Sequence, residues 1–233
     1  MTLFEKRSVP PALVTLIVLI AGILFYSAYI HRYADRNFGG NLSGFLFLGN
    51  AKINCPDAWY PGLYLRSDEG YDGEFNYYIA VDPLNKKGIY QCTGGGPYRY
   101  QRILFPMAAA LLSMGEMSRV PGILLTVNFC AVLLGAYFLT RSSKHFLGHG
   151  WAGLFAIFAV GTLIALTRTT TELVYSSLMI AGFYYYLAKN NFPAAALWFS
   201  ASVLAKELAL PAIAAAALYE IAARKSWRNA CWF

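Results

Sequence analysis

Ionisable residues are scarce in this chain, so their positions carry weight. It has 12 Asp and Glu and 19 Lys and Arg in 233 residues. Three places hold side chains able to do chemistry. The first is an aromatic, acidic stretch containing Asp72-Gly73-Glu74, with Tyr98, Arg99 and Arg102 shortly after it. The second is Arg168-Thr-Thr-Thr-Glu172, and the third is the adjacent pair Lys206-Glu207. A carboxylate can accept a proton as a general base. Guanidinium and ammonium groups can hold a phosphate through charge-assisted hydrogen bonds. Plainer readings stand beside these. Charges at helix ends anchor at the membrane surface, loop acids are solvated, and Asp-Gly pairs cap turns. Carboxylates two residues apart are too common to argue for a metal, so a divalent cation is left open.

The elements that must position these groups follow from composition. Hydrophobic residues make up 58% of the chain and charged ones 13%, about half the charge of an ordinary soluble domain. The apolar residues come in long blocks, and about 20 such residues span a bilayer as a helix. The net charge of +7 does not imply nucleic acid. Lys and Arg lie between the apolar blocks, and no basic stripe or zinc-finger spacing is present. Cys55 and Cys92 share one polar loop and either pair there or remain unrelated thiols. Cys130, inside an apolar block, reads as a small core residue.

The first block, residues 11–30, follows Lys6 and Arg7, which places the N-terminus in the cytoplasm. A cleaved signal peptide competes with this. The apolar run is longer than a signal core, however, and no small-x-small site follows. Residues 31–102 form a polar loop with Asp35, Asp57, Asp68, Glu69, Asp72, Glu74 and Asp82, and with no obvious core of its own. A loop of such length is commonly functional. Residues 103–114 are apolar but reach only about 18 Å as a helix, which suits an interfacial helix rather than a span. The extracytoplasmic segment therefore extends over 31–120.

Further blocks occupy 122–139, 151–166, 173–187 and 192–223. The last is too long for one span and carries Lys206-Glu207 in its middle, where charge costs about 2.5 kcal/mol or more per residue. A turn at that pair, with Pro211 in the first turn of the next helix, removes the cost. The expected fold is thus an all-α integral membrane domain over 1–233. It has about six transmembrane helices, a long extracytoplasmic first loop and a cytoplasmic C-terminus. Arg141, Lys144, Lys189, Arg224, Lys225 and Arg228 then all face the cytoplasm, as the positive-inside rule asks. The acidic loop, the 168–172 turn and Lys206-Glu207 gather on the opposite face.

Residues 70–82 read G-Y-D-G-E-F-N-Y-Y-I-A-V-D, and residues 98–107 read Y-R-Y-Q-R-I-L-F-P-M. This resembles the first-loop signature of the GT-C superfamily of membrane glycosyltransferases, W-D-G-x-Y-Y-x-x-I-A followed by F-F-P-L-Y-P. It is similar to that of the GPI mannosyltransferase-like enzymes and of bacterial cell-surface glycopolymer formation proteins. T-E-L-V-Y (171–175) and L-A-K-E-L-A-L (204–210) resemble two later elements of that superfamily. Tyr71 stands where many relatives have Trp, and Lys206 where Arg is commoner.

The resemblance implies an inverting transfer of a sugar from a polyprenyl-phosphate donor to a glycan, lipid or protein acceptor, outside a bacterial inner membrane. It implies Asp72 as the base. Glu74, Tyr98, Arg99, Arg102, Arg168, Glu172, Lys206 and Glu207 become candidates for substrate binding, with Tyr98, Arg99, Arg102 and Lys206 at the lipid phosphate. GT-C enzymes usually continue through several more spans, so a short or truncated module is expected, with a partner subunit to complete it. The alternatives are a transporter or flippase for lipid-linked saccharides, and a non-catalytic subunit of a glycopolymer assembly complex.

Overall fold

The computed structural model describes residues 9–49, 55–66, 70–93 and 97–233, apart from the side chains of Pro56, Tyr90 and Cys92. Lys6, Arg7, Asp68 and Glu69 lie outside them. Among the described residues every regular element is helical, and the only bridge pairs Gly49 with Arg66.

Helix α1 (Pro11–Phe38) starts with a proline in its first turn and stops at Gly39, which takes φ +60°, a conformation glycine adopts without strain. It runs two turns beyond the apolar block. Hydropathy ends near Ile30, but helicity continues because Ala34 and Phe38 are buried. His31 Nε2 also lies 3.3 Å from Asp35 Oδ2, one turn on.

The polar loop has a core, contrary to the sequence expectation. Helix α2 (Asp72–Val81) buries Gly73 through Ala80. Its Phe75, Tyr77 and Tyr78 join Phe45, Leu46, Leu48 and Ala58 in one apolar cluster. The Tyr77 hydroxyl donates to Ala58 O at 2.6 Å. Asp82 ends the helix, its carboxylate accepting the Lys86 and Lys87 N–H groups at 2.7 and 2.8 Å. These partners lie far apart in sequence, which hid the core from a search for periodic runs. Cys55 is disulfide-bonded. A short helix α3 (Pro97–Tyr100) leads to α4 (Leu104–Ser113), the short apolar helix expected, which packs between α2 and the next helix.

Helix α5 (Val120–Leu147) follows, then α6 (Gly153–Phe158), α7 (Val160–Thr167), α8 (Glu172–Phe183), α9 (Phe192–Ala205), α10 (Leu210–Ala222) and α11 (Trp227–Ala230). Among the described residues, two helices are long and apolar enough to cross a membrane: Pro11–Phe38 and Met117–Leu147. Helix α5 buries Leu124, Asn128, Ala131 and Gly135 at helical spacing. Cys130 falls on its other face and is exposed, which corrects its reading as a core residue.

The expected span 151–166 is interrupted. Ala159 is extended (φ −65°, ψ 131°) between α6 and α7. The carbonyls freed by the break are met elsewhere: Ile157 O accepts the Tyr26 hydroxyl at 2.5 Å and Ala156 O accepts the Thr162 hydroxyl at 2.9 Å. Helix α8 continues as a π-helical turn, Tyr184–Ala188. The break expected in 192–223 is present. Lys206 is extended (φ −161°, ψ 129°), and Pro211 sits at the start of α10.

The helices α1, α5, α6–α7, α8, α9 and α10 run alternately between two ends of the bundle. At the near end, Val9 and Pro11 meet Arg141 and Trp151. The Tyr186 hydroxyl donates to buried Glu220 at 2.7 Å, and Phe233 packs on Tyr186. At the far end, the Thr169 hydroxyl donates to Phe45 O at 2.8 Å, and Arg102 pairs with Glu207. Arg141, Lys144, Lys189 and Arg224 thus share the near end. The candidate site groups share the far one.

Candidate functional site

Asp72 is the first residue of α2, where its charge suits the helix N-terminus. It does not cap the turn. Among the described residues its carboxylate accepts from no backbone N–H, and its one partner is Arg99 Nη1 at 3.5 Å. About half of the Asp72 side chain is exposed. The Arg99 guanidinium lies 3.3 Å from the centre of the Phe75 ring, which holds it by cation–π attraction. Asp72 is therefore accessible and steered from one side only.

The Asp-Gly pair is explained by what lies behind it. A Cβ on Gly73 would run into the Arg168 carbonyl oxygen and come within 2.7 Å of Leu46 O. Only glycine lets α2 seat its first turn on the 168–171 turn. That turn is buried at Thr169, Thr170 and Thr171, with Thr169 at φ +47°. Its carbonyls are caught by two asparagines. Asn76 Nδ2 donates to Thr169 O and Asn128 Nδ2 to Thr170 O, both at 3.0 Å. Glu74 points the other way, fully buried, with Oε2 accepting the Gly49 N–H at 3.2 Å and lying against Gly70. The structure therefore places Glu74 apart from the other candidates.

The remaining charges are stapled at the turn between α9 and α10. Lys206, 8% exposed, forms an ion pair with Glu172 at the start of α8. Glu207 takes Arg102 in a fork: Arg102 Nε donates to Oε2 at 2.9 Å, and a terminal nitrogen donates to Oε1. The Tyr98 hydroxyl donates to the same Oε1 and accepts from Arg102 at 2.9 Å. The guanidinium and the hydroxyl hold the Glu207 carboxyl down at about 2 against the opposing pull of burial.

Space divides the candidates. The cavity among Asp72, Asn76, Arg99, Arg102 and Thr171 is only about 10 Å³, which takes no more than a water. A groove of about 490 Å³ opens beside Tyr71, the residue before Asp72. Tyr71, Arg168, Glu172 and Tyr175 line its polar mouth. Ile164, Ala165, Gly161 and Ala159 carry it down to the break between α6 and α7. An apolar groove of about 320 Å³ continues along α5, sharing Thr162, Leu173 and Ser176.

Arg168 sits 4.3 Å over the Tyr71 ring, and no carboxylate among the described residues pairs with it. Glu172 Oε2 is buried without a hydrogen-bond partner. Arg99, Arg102 and Lys206 are all engaged by carboxylates.

The structure thus brings Arg168 and Glu172 to the groove mouth beside Tyr71, leaves Asp72 on the small neighbouring cavity with Arg99, and uses Tyr98, Arg102, Lys206 and Glu207 as the frame. Sequence reasoning missed Tyr71 as the platform for Arg168, and Asn76 and Asn128 as supports of the turn. Asn128, a lone amide inside an apolar block, was the signal available for one of them. Among the described residues no group of three or more His, Cys, Asp or Glu could hold a metal ion. No protein-family model, curated protein or solved structure matches the chain.

Proposed function

We propose that this chain is a membrane glycosyltransferase of GT-C type, or a module of one, that takes its sugar from a polyprenyl-phosphate donor. The carrying observation is the groove mouth. The Asp72 carboxylate is accessible. The residue before it, Tyr71, lines a channel together with Arg168, whose guanidinium has no carboxylate partner among the described residues. The channel walls turn from polar to apolar with depth. That order of groups suits a ligand with an anionic head and a long hydrocarbon tail. Arg168 binds the phosphate through its fork of N–H donors. Asp72 removes the proton of the acceptor hydroxyl as that oxygen attacks the anomeric carbon, and polyprenyl phosphate leaves. Glu172, which also lines the groove, stands beside the sugar. Phosphate binding thus passes from Tyr98, Arg99, Arg102 and Lys206 to Arg168, because the first four are already bonded.

In this reading the helices that run between the two ends cross the membrane about six times. The near end, with Arg141, Lys144, Lys189 and Arg224, faces the cytoplasm, and the groove mouth faces outward. A broken helix beside a groove also suits a transporter of lipid-linked saccharides. Transfer from a labelled polyprenyl-phosphate sugar by the purified chain separates the two. Membranes carrying Asp72→Asn are expected to lose transfer while retaining folded protein, and undiminished transfer would sink the assignment.

A further inference from the structure

The near end holds a second cavity with its own chemistry. It has about 170 Å³ between the start of α1, the end of α5 and residues 148–151. Arg141, Lys144 and His149 line it, and among the described residues no carboxylate does. Lys144 donates one of its three N–H groups to Gly148 O at 2.8 Å, which leaves two for another acceptor. The Arg141 guanidinium reaches the Tyr184 hydroxyl and keeps further donors free, having five in all. Thr140, 1% exposed, stands in the same wall with its hydroxyl turned toward Gly153. The other side is apolar: Val9 and Val14 from the α1 side, and Trp151, which is 39% exposed. A tryptophan half in water is the residue of a bilayer surface.

We infer that this cavity binds the phosphodiester headgroup of an anionic phospholipid. The two cations would hold the phosphate. The apolar wall would receive the first carbons of the lipid, a surface that free phosphate would leave unused. The headgroup would join α1 to α5, and α1 is the less held of the two. Only 22% of the apolar window of α1 is buried within the protein, against 44% for α5. The site needs the near end to lie at a membrane surface but not a glycosyl transfer, so it stands or falls separately from Asp72.

The test uses the full chain purified in a neutral detergent. Melting temperature and native mass spectrometry are read with phosphatidylglycerol, phosphatidylcholine or inorganic phosphate added. Phosphatidylglycerol is expected to bind at least about tenfold more tightly than phosphatidylcholine and to raise the melting temperature. Arg141→Gln with Lys144→Gln is expected to abolish that preference. Lys189→Gln, basic and at the same end but outside the cavity, is expected to keep it. Equal binding of the two lipids by the unmodified chain overturns the inference, whether or not the double variant folds. So does a preference that survives the double variant. Inorganic phosphate matching the stabilisation by phosphatidylglycerol overturns the lipid assignment.

Discussion

Lys206 and Glu207 are neighbours in sequence, yet they grip different walls of the site. Lys206 pairs with Glu172 on α8, and Glu207 takes Arg102 beyond α3. One turn therefore fastens the first loop and the 168–172 turn to each other. The Glu207 carboxyl is held down at about 2 by Arg102 and Tyr98. A depressed carboxylate stabilises the fold fully above its ordinary value, here 4.5, and the stabilisation is withdrawn as pH falls from there toward about 2. Melting temperature measured across that window is expected to fall more steeply for the unmodified chain than for Glu207→Gln. The variant should be less stable at neutral pH, and the two should converge near pH 2. Parallel curves would show that the fork contributes nothing.

Lys206 is the more buried partner of its pair. Removing Glu172 leaves an ammonium without a counter-charge, a change that costs about 3–5 kcal/mol at buried sites. Glu172→Leu is therefore expected to destabilise more than Glu172→Leu combined with Lys206→Met, because the double variant leaves no orphaned charge. Denaturation of the three proteins in one detergent checks the order, and a double variant worse than the single would contradict it.

Asn76 and Asn128 hold adjacent carbonyls of one buried turn. Alanine at either position leaves a buried acceptor unpaired, which costs about 1–3 kcal/mol. Both act on the same few residues, so the two losses are expected to be non-additive by about 0.5 kcal/mol or more. A double-mutant cycle on melting or denaturant midpoints measures this, and strict additivity would show that the turn does not move as a unit.

Legibility in the sequence followed the range of the force involved. The break at Lys206 was readable because a charged pair inside an apolar run has few other solutions. The extra turns of α1 were not, since the pairing of His31 with Asp35 and the burial of Phe38 extend a helix past the end of its hydropathy. Nor was the break at Ala159 readable. No proline marks it, and one of its freed carbonyls is met by Tyr26, 131 residues away. The motif at 70–82 marks out the candidate region but not how Asp72 and Glu74 divide within it. Residues two apart on a helix stand about 200° around the axis. Asp72 at the surface therefore puts Glu74 in the interior. The groove, made by α7, α8 and the distant Tyr71 together, had no local signature at all.

Asp72 and Arg168 are assigned different steps, so their variants should fail differently. Arg168 meets the phosphate in the ground state as well as in the transition state. Arg168→Gln is expected to raise KM for the polyprenyl-phosphate sugar by about tenfold or more with a smaller change in kcat. Arg168→Lys should recover only part of that, because it keeps the charge and loses the fork. Asp72 acts only as the acceptor proton moves. Asp72→Asn is expected to lower kcat by about 100-fold to 10,000-fold, with KM for the donor nearly unchanged. Gly73→Ala provides the structural control. Its Cβ would press on the Arg168 carbonyl, an overpacking worth about 1–3 kcal/mol, so melting temperature and both kinetic constants should worsen together. If Asp72→Asn behaved like Gly73→Ala, with stability lost alongside rate, Asp72 would be a structural residue and the groove would need another base.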